Sequence, residues 1–230
     1  MYTVMTDESR DTRSDQTRAE QVRARLLDAA LPEAAFEGWS EATLRRAAEA
    51  AGVSEGEVQL YLPGGVLDLI ETWSRTADDA ARDRIAANDA NRIRDKISQA
   101  VLIRLEKYAG EEEAAERARA RLLLPDAAGL GGRLLWSTSD MIWRAIGDTS
   151  TDANFYSKRT ILSGVYAATL SAWLNEADPD KPETRAFLDR RIDNVMQFEK
   201  VKAQARKVTG AMPDFAGLAA RLRYGFGPRV

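Results

Sequence analysis

The chain has 230 residues, enough for one or two domains and a substantial core, and carries a formal net charge of −3. It has neither cysteine nor histidine. That removes disulfides, thiol nucleophiles, thiolate and His-containing metal sites, Ser-His-Asp and Cys-His pairs, the usual general base and the Glu-x-x-His di-iron pattern. No catalytic residue, cofactor or metal ligand is assigned.

Helical periodicity runs through the chain and β-alternation is nearly absent. Residues 1–17 are polar, with Asp7, Glu8, Asp11 and Asp15 among arginines; this is neither a signal peptide nor an acid-poor transit peptide, and reads as a disordered tail on a cytoplasmic protein. Helices are expected at 18–37, 41–51, 55–62, 65–87, 92–108, 111–123, 130–146, 152–175, 182–208 and 213–224. The breaks between them fall at Gly38, Gly52, Pro63-Gly64-Gly65, Gly110, Pro125, Gly147, Pro179 and Gly210. This divides the chain into a three-helix bundle over 18–75, a larger helical bundle over 76–208 and a basic amphipathic segment over 209–230.

Within the first bundle, helix, helix, a Gly52 turn and a short helix follow one another. The run Ala50-Ala51-Gly52-Val53-Ser54-x-Gly56-x-Val58, followed by Tyr61-Leu62-Pro63, resembles the helix-turn-helix of TetR-type regulators. A DNA reader needs cations and donors where its recognition helix meets phosphates and base edges. Here Glu55 and Glu57 occupy that helix, and no Lys or Arg stands between Gly52 and Glu71. The scaffold is kept, and no nucleic-acid partner is expected. Farther on, the aspartates of Asp78-Asp79-Ala80-Ala81-Arg82-Asp83 superficially match prenyl-synthase clusters. Their spacing is one residue too long and a second facing cluster is missing, so they read as a solvated helix face. Glu111-Glu112-Glu113 reads as a solvated first turn favoured by the helix dipole, and Gly129, Gly131 and Gly132 as a turn before the next helix.

The stretch 130–159 is the most informative. On a helical wheel Leu130, Leu134, Leu135, Thr138, Met141, Ile142, Ala145 and Ile146 form one stripe, sufficient to dock the helix on a core. Trp136 and Trp143 point away from it, with Asp140, Arg133 and Arg144 beside them, which marks either a second packed layer or a docking surface. Gly147 supplies a left-handed helix end, and Ser150 or Thr151 is positioned to cap the helix that follows. That next helix contains fourteen uncharged residues, 161–174, apolar nearly all round: a central buried helix too short for a membrane span.

The block from Trp143 to Arg159, Trp-Arg-Ala-Ile-Gly-Asp-Thr-Ser-Thr-Asp-Ala-Asn-Phe-Tyr-Ser-Lys-Arg, resembles the core of the ubiquinone-biosynthesis accessory family, the ninth coenzyme Q protein, a lipid-binding relative of the TetR regulators. The resemblance runs from about Leu26 to Met196. It implies an all-α TetR-like bundle of about ten helices, usually a homodimer, that holds an isoprenoid or quinone lipid and assists the demethoxyubiquinone hydroxylase. By that resemblance a lipid pocket is expected among Trp73, Val101, Leu105, Leu122, Leu135, Ile142, Leu162, Tyr166 and Leu170, and the hydroxylase is expected to dock on Trp136, Asp140, Trp143 and Arg144. The protein would present lipid without performing chemistry on it. A ligand-responsive TetR-type repressor is the alternative on the same fold, and a carboxylate-dependent, metal-sensitive enzyme the third.

Residues 200–230 carry a net charge of +6. Phe215, Leu218, Ala219, Leu222 and Phe226 form a stripe with Arg221 and Arg223 at its flanks. Arginines sit this way when they snorkel from an interfacial helix, which would hold a cytoplasmic protein peripherally on the inner membrane face. Packing on the protein itself or on a sister subunit is the other reading.

Overall fold

Nine α-helices and one 3₁₀ turn carry the described residues of the computed structural model, which are 7–151 and 153–210. The first bundle is built from α1 (Asp7–Glu37), α2 (Glu41–Ala51), α3 (Glu55–Tyr61) and the start of α4 (Val66–Ala86). Leu26, Ala30 and Ala34 of α1, Leu44 and Ala47 of α2, and Val66 and Leu69 of α4 bury their apolar faces together. Burial of this kind is what holds short helices that propensity alone leaves marginal. Ser40 caps α2 by accepting from the Thr43 amide, and Gly52 ends it in the left-handed conformation at φ 63°, a turn that a β-carbon would strain. Ser54 then opens α3 in a capping box with Glu57: each side chain satisfies the other residue's backbone N–H.

The larger bundle comprises the rest of α4, α5 (Ile93–Leu105), the 3₁₀ turn Glu106–Tyr108, α6 (Glu112–Leu122), α7 (Ala128–Ala145) and α8 (Ala153–Asn175). α7 packs on both α4 and α8. Its expected stripe is inward, with Leu130, Leu134, Thr138, Met141 and Ile142 buried. Trp39 ties the first bundle to this one: it stacks on Trp73 at 5.5 Å between ring centroids and donates from Nε1 to the carbonyl of Ala114 at 2.9 Å. α9 (Pro182–Gly210) follows. Among the described residues, those up to Leu188 and those from Asp189 on form separate units.

Several expectations are corrected by these elements. α1 starts at Asp7, inside the stretch read as a tail; a helix with no apolar periodicity in its first turns leaves no amphipathic signal. α7 starts at Ala128, so Gly129, Gly131 and Gly132 are helical. At Gly131 the reason is a close approach, since a β-carbon there would lie 3.4 Å from both the β-carbon and the carbonyl oxygen of Leu122. α8 is buried along one stripe, Leu162, Val165, Tyr166, Thr169 and Trp173, rather than all round. The expected helix over 213–224 lies outside the described residues.

Candidate functional site

Five helices and the 3₁₀ turn of the larger bundle surround a cavity of about 330 Å³, within the size range of small-molecule sites. The residues themselves explain the space. α6 contributes Ala115 and Ala118, α7 contributes Gly131 and Gly132, and α8 contributes Ala167, so three helices meet with little side chain between them. Larger apolar groups complete the wall: Ile70 and Trp73 from α4, Leu122 from α6, Leu134 and Leu135 from α7, and Leu170 from α8. Leu123 lines the cavity yet is 71% exposed, so the chamber reaches the surface at the α6–α7 corner, where Leu124 is also exposed.

Of the nine residues expected to hold lipid, Trp73, Leu122, Leu135, Tyr166 and Leu170 line this cavity. Val101, Leu105, Ile142 and Leu162 do not; they are buried in the core around it. Helical periodicity identifies an inward face but does not distinguish a side chain that fills the core from one that borders a void.

The sequence reading also missed the polar floor. Arg104 is fully buried, and its Nε donates to Asp78 Oδ1 at 2.5 Å. Its Nη2 donates to the Ser74 carbonyl at 3.1 Å and to Tyr108 Oη at 3.0 Å. Thr138 Oγ1 donates to the same Asp78 oxygen at 2.9 Å. Asp78 is therefore not on a solvated helix face, as its position in the aspartate run suggested, but buried in an ion pair; Asp79 and Asp83 remain exposed. Burial pushes the Asp78 carboxyl above its ordinary value against the pull of Arg104. Burial likewise pushes the Tyr166 phenol well above its usual range, leaving it neutral at physiological pH. Arg104 Nη1 and Tyr166 Oη have no hydrogen-bond partner among the described residues.

A second cluster lies where α7 turns into α8. Gly147 ends α7 at φ 88° in a Schellman arrangement: its amide donates to the Arg144 carbonyl and the Asp148 amide to that of Trp143. This turn aims Asp148 at two cations of α8. Lys158 Nζ lies 2.6 Å from Asp148 Oδ1, and Arg159 Nη1 lies 3.2 Å from Oδ2. Burial works to raise the Asp148 carboxyl, but hydrogen bonds from Lys158, Ser150 and Arg159 outweigh it and hold it at about 2. Ser150 joins the cluster, donating to Asp148 and accepting from Lys158. Arg159, 1% exposed, also pairs with Asp140 at 2.6 Å and lies 3.5 Å from the centre of the Phe155 ring.

Trp143 is a correction. It points away from α7's main stripe, but α8 covers it: the residue is 8% exposed and its Nε1 donates to the Lys158 carbonyl at 3.2 Å. The two tryptophans thus differ in environment. Trp143 belongs to a second packed layer, whereas Trp136 is half-buried beside Phe155 and the exposed Tyr156, at 6.4 and 6.2 Å between ring centroids. Asp140 is half-buried, and Arg144 is exposed and pairs with it at 2.7 Å.

At the helix-turn-helix, Glu55 is exposed, and Glu57 pairs with Arg18 at 2.8 Å in addition to its capping role. The Arg18 hydrogen bond, with those from Ser54, lowers the Glu57 carboxyl to about 2. The candidate membrane residues Phe215, Leu218, Arg221, Leu222, Arg223 and Phe226 lie outside the described residues. Among the described residues no cluster of acidic side chains is arranged to hold a metal ion, and no helix is long and apolar enough to cross a membrane.

Helix order, the turn at Gly52 and an apolar chamber in the larger bundle define an all-α protein of TetR-like fold. The TetR transcriptional regulator from Nitrosomonas europaea ATCC 19718 shares that fold at a TM-score of 0.58 and 19% identity, over 75% of this chain and 97% of its own. In sequence the chain is similar to the ubiquinone biosynthesis protein COQ9: residues 128–199, which include α7 and α8, match the COQ9 family model. The mitochondrial COQ9 of Rattus norvegicus is 26% identical over 183 residues, covering 76% of this chain and 59% of the relative. That of Xenopus tropicalis is 26% identical over 195 residues, covering 81% and 62%. The chain thus spans about three fifths of the length of these curated relatives.

Proposed function

We propose that this protein acts in ubiquinone biosynthesis as a non-catalytic lipid carrier, holding an isoprenoid or quinone intermediate in the α4–α8 cavity and presenting it to a hydroxylase. The observation that carries the reading is the apolar cavity itself, two of whose walls, α7 and α8, lie inside the segment matched to COQ9. A mostly apolar chamber with a few converging polar groups suits a lipid with a small oxygenated head. Leu123 and Leu124 at the mouth give an apolar entrance, and the basic segment 200–230 would hold a homodimer against an anionic bilayer. The hydroxylase would dock beside it on Trp136, Asp140 and Arg144, with Phe155 and Tyr156 completing an aromatic patch in place of Trp143.

A repressor on the same scaffold is the second reading, favoured by the fold it shares with a TetR regulator. Against it stand the acidic start of α3 and the absence of any Lys or Arg from Gly52 to Glu71, since a polyanion is repelled by such a face.

Vesicles of uncharged lipid, loaded with demethoxyubiquinone, mixed with the protein and then pelleted, test the proposal. The quinone should appear in the supernatant with the protein, and addition of the hydroxylase should convert it. Protein that leaves the quinone in the pelleted vesicles would overturn the reading.

A further inference from the structure

Arg104 and Tyr166 both line the cavity, at 0% and 3% exposure, and each keeps one polar atom without a partner among the described residues: Nη1 of Arg104 and Oη of Tyr166. The two are neighbours, with the guanidinium carbon 6.0 Å from the Tyr166 ring centre. Buried polar groups are nearly always paired, so two orphans on neighbouring residues of one chamber, from α5 and α8, call for a third group that satisfies both. The charges around them are already matched. Arg104 is paired with Asp78, and Arg119, the other charged residue of the lining, is paired with Glu116 at 2.5 Å. An anionic ligand would therefore bury a charge with no counterion, whereas an uncharged oxygen would accept hydrogen bonds at no such cost.

We infer that the cavity recognises a neutral, otherwise apolar ligand by its carbonyl or ether oxygen, which accepts hydrogen bonds from Arg104 Nη1 and Tyr166 Oη. This rests on the lipid-carrier reading and adds to it the chemistry of the head group: ketones, quinones and ethers enter, and fatty-acid anions do not. Arg104 is fixed by Asp78, Ser74 and Tyr108, so the guanidinium is held in place before the ligand arrives.

Tyr166→Phe tests this cleanly, because the hydroxyl it removes makes no hydrogen bond within the described chain. The full-length protein and this variant would be titrated calorimetrically with heptane, methyl pentyl ketone and heptanoate at about pH 8, where a carboxylate is ionised, and with a decyl-substituted benzoquinone. The variant should melt no lower than the parent, bind heptane equally and bind the ketone about fivefold more weakly. Heptanoate should bind the parent at least about tenfold more weakly than the ketone. Unchanged ketone affinity in the variant, an equal loss for heptane, or a preference for heptanoate would each overturn the inference. If the ketone keeps its sensitivity to Tyr166→Phe while the benzoquinone does not bind, head-group recognition stands and the ubiquinone reading falls; if neither ligand binds, both fall.

Discussion

The helix-turn-helix and the cavity bundle are assembled by the same means, short helices closing an apolar core, yet they use their charged residues in opposite ways. In the first, Glu57 is held at the surface, spent on the capping box of α3 and on Arg18, and Glu55 beside it is exposed. In the second, Asp78 and Arg104 are taken out of water as an ion pair, with Arg104 set into the lining of an apolar chamber. A TetR-like scaffold can therefore keep the shape of its helix-turn-helix with an acidic short helix, and on the proposed function the specificity would lie in the interior of the larger bundle. Function follows the placement of charge, not the helix order.

The largest test of this contrast is Arg104→Met. It strands a buried carboxylate and should cost about 3–5 kcal/mol in chemical denaturation, most of it recovered by adding Asp78→Leu. A loss below about 1 kcal/mol would mean the pair is effectively solvated. Trp143→Lys comes next, with an expected loss of at least about 3 kcal/mol, because it leaves a cavity and an unpaired charge beneath α8. Trp136→Ala should lower stability by about 1 kcal/mol or less while weakening capture of the hydroxylase; equal melting of the two variants would remove the distinction between packed layer and docking patch.

Acid titration gives a smaller effect. Asp148 has a carboxyl held at about 2, below its ordinary 3.8, so the stability it contributes is present above about pH 4 and disappears as pH falls towards 2. The melting temperatures of the parent and Asp148→Asn should thus differ at neutral pH and converge over that interval. A gap that persists at pH 2 would show that the ion pairs are not its source. Smallest of all is the expected effect on DNA, which is none. Specific readers bind at about 10⁻⁸ to 10⁻¹¹ M at physiological salt, and a sequence-selective gel shift in that range, abolished by changes in residues 55–61, would return α3 to a recognition role.

Much of the architecture was legible in the residues, because caps and left-handed glycines punctuate it. Ser40, Gly52 and Gly147 mark helix ends locally, and the stripe of α7 identifies its inward face. The parts that were not legible depend on distant partners. Asp78 looks solvated beside Asp79 until Arg104, on another helix, is folded against it. Trp143 looks free until the start of α8 turns back over it, a turn set by Gly147 and stapled by Asp148 to Lys158 and Arg159. Gly131 looks like a turn until α6 is folded against it, bringing Leu122 within 3.4 Å of where a β-carbon would stand. The capping box of α3 is a local feature, since Ser54-x-x-Glu57 is its sequence pattern.

The central claim, that the α4–α8 cavity carries a neutral lipid, is tested most directly by native mass spectrometry of the full-length protein purified without detergent from cells that make isoprenoid quinones. The parent should carry a mass adduct that extraction identifies as an uncharged, oxygen-bearing isoprenoid or quinone, and Leu135→Trp, which fills the chamber from α7, should lose it while keeping its melting temperature. A lipid-free parent, or the same adduct retained in Leu135→Trp, would contradict the account.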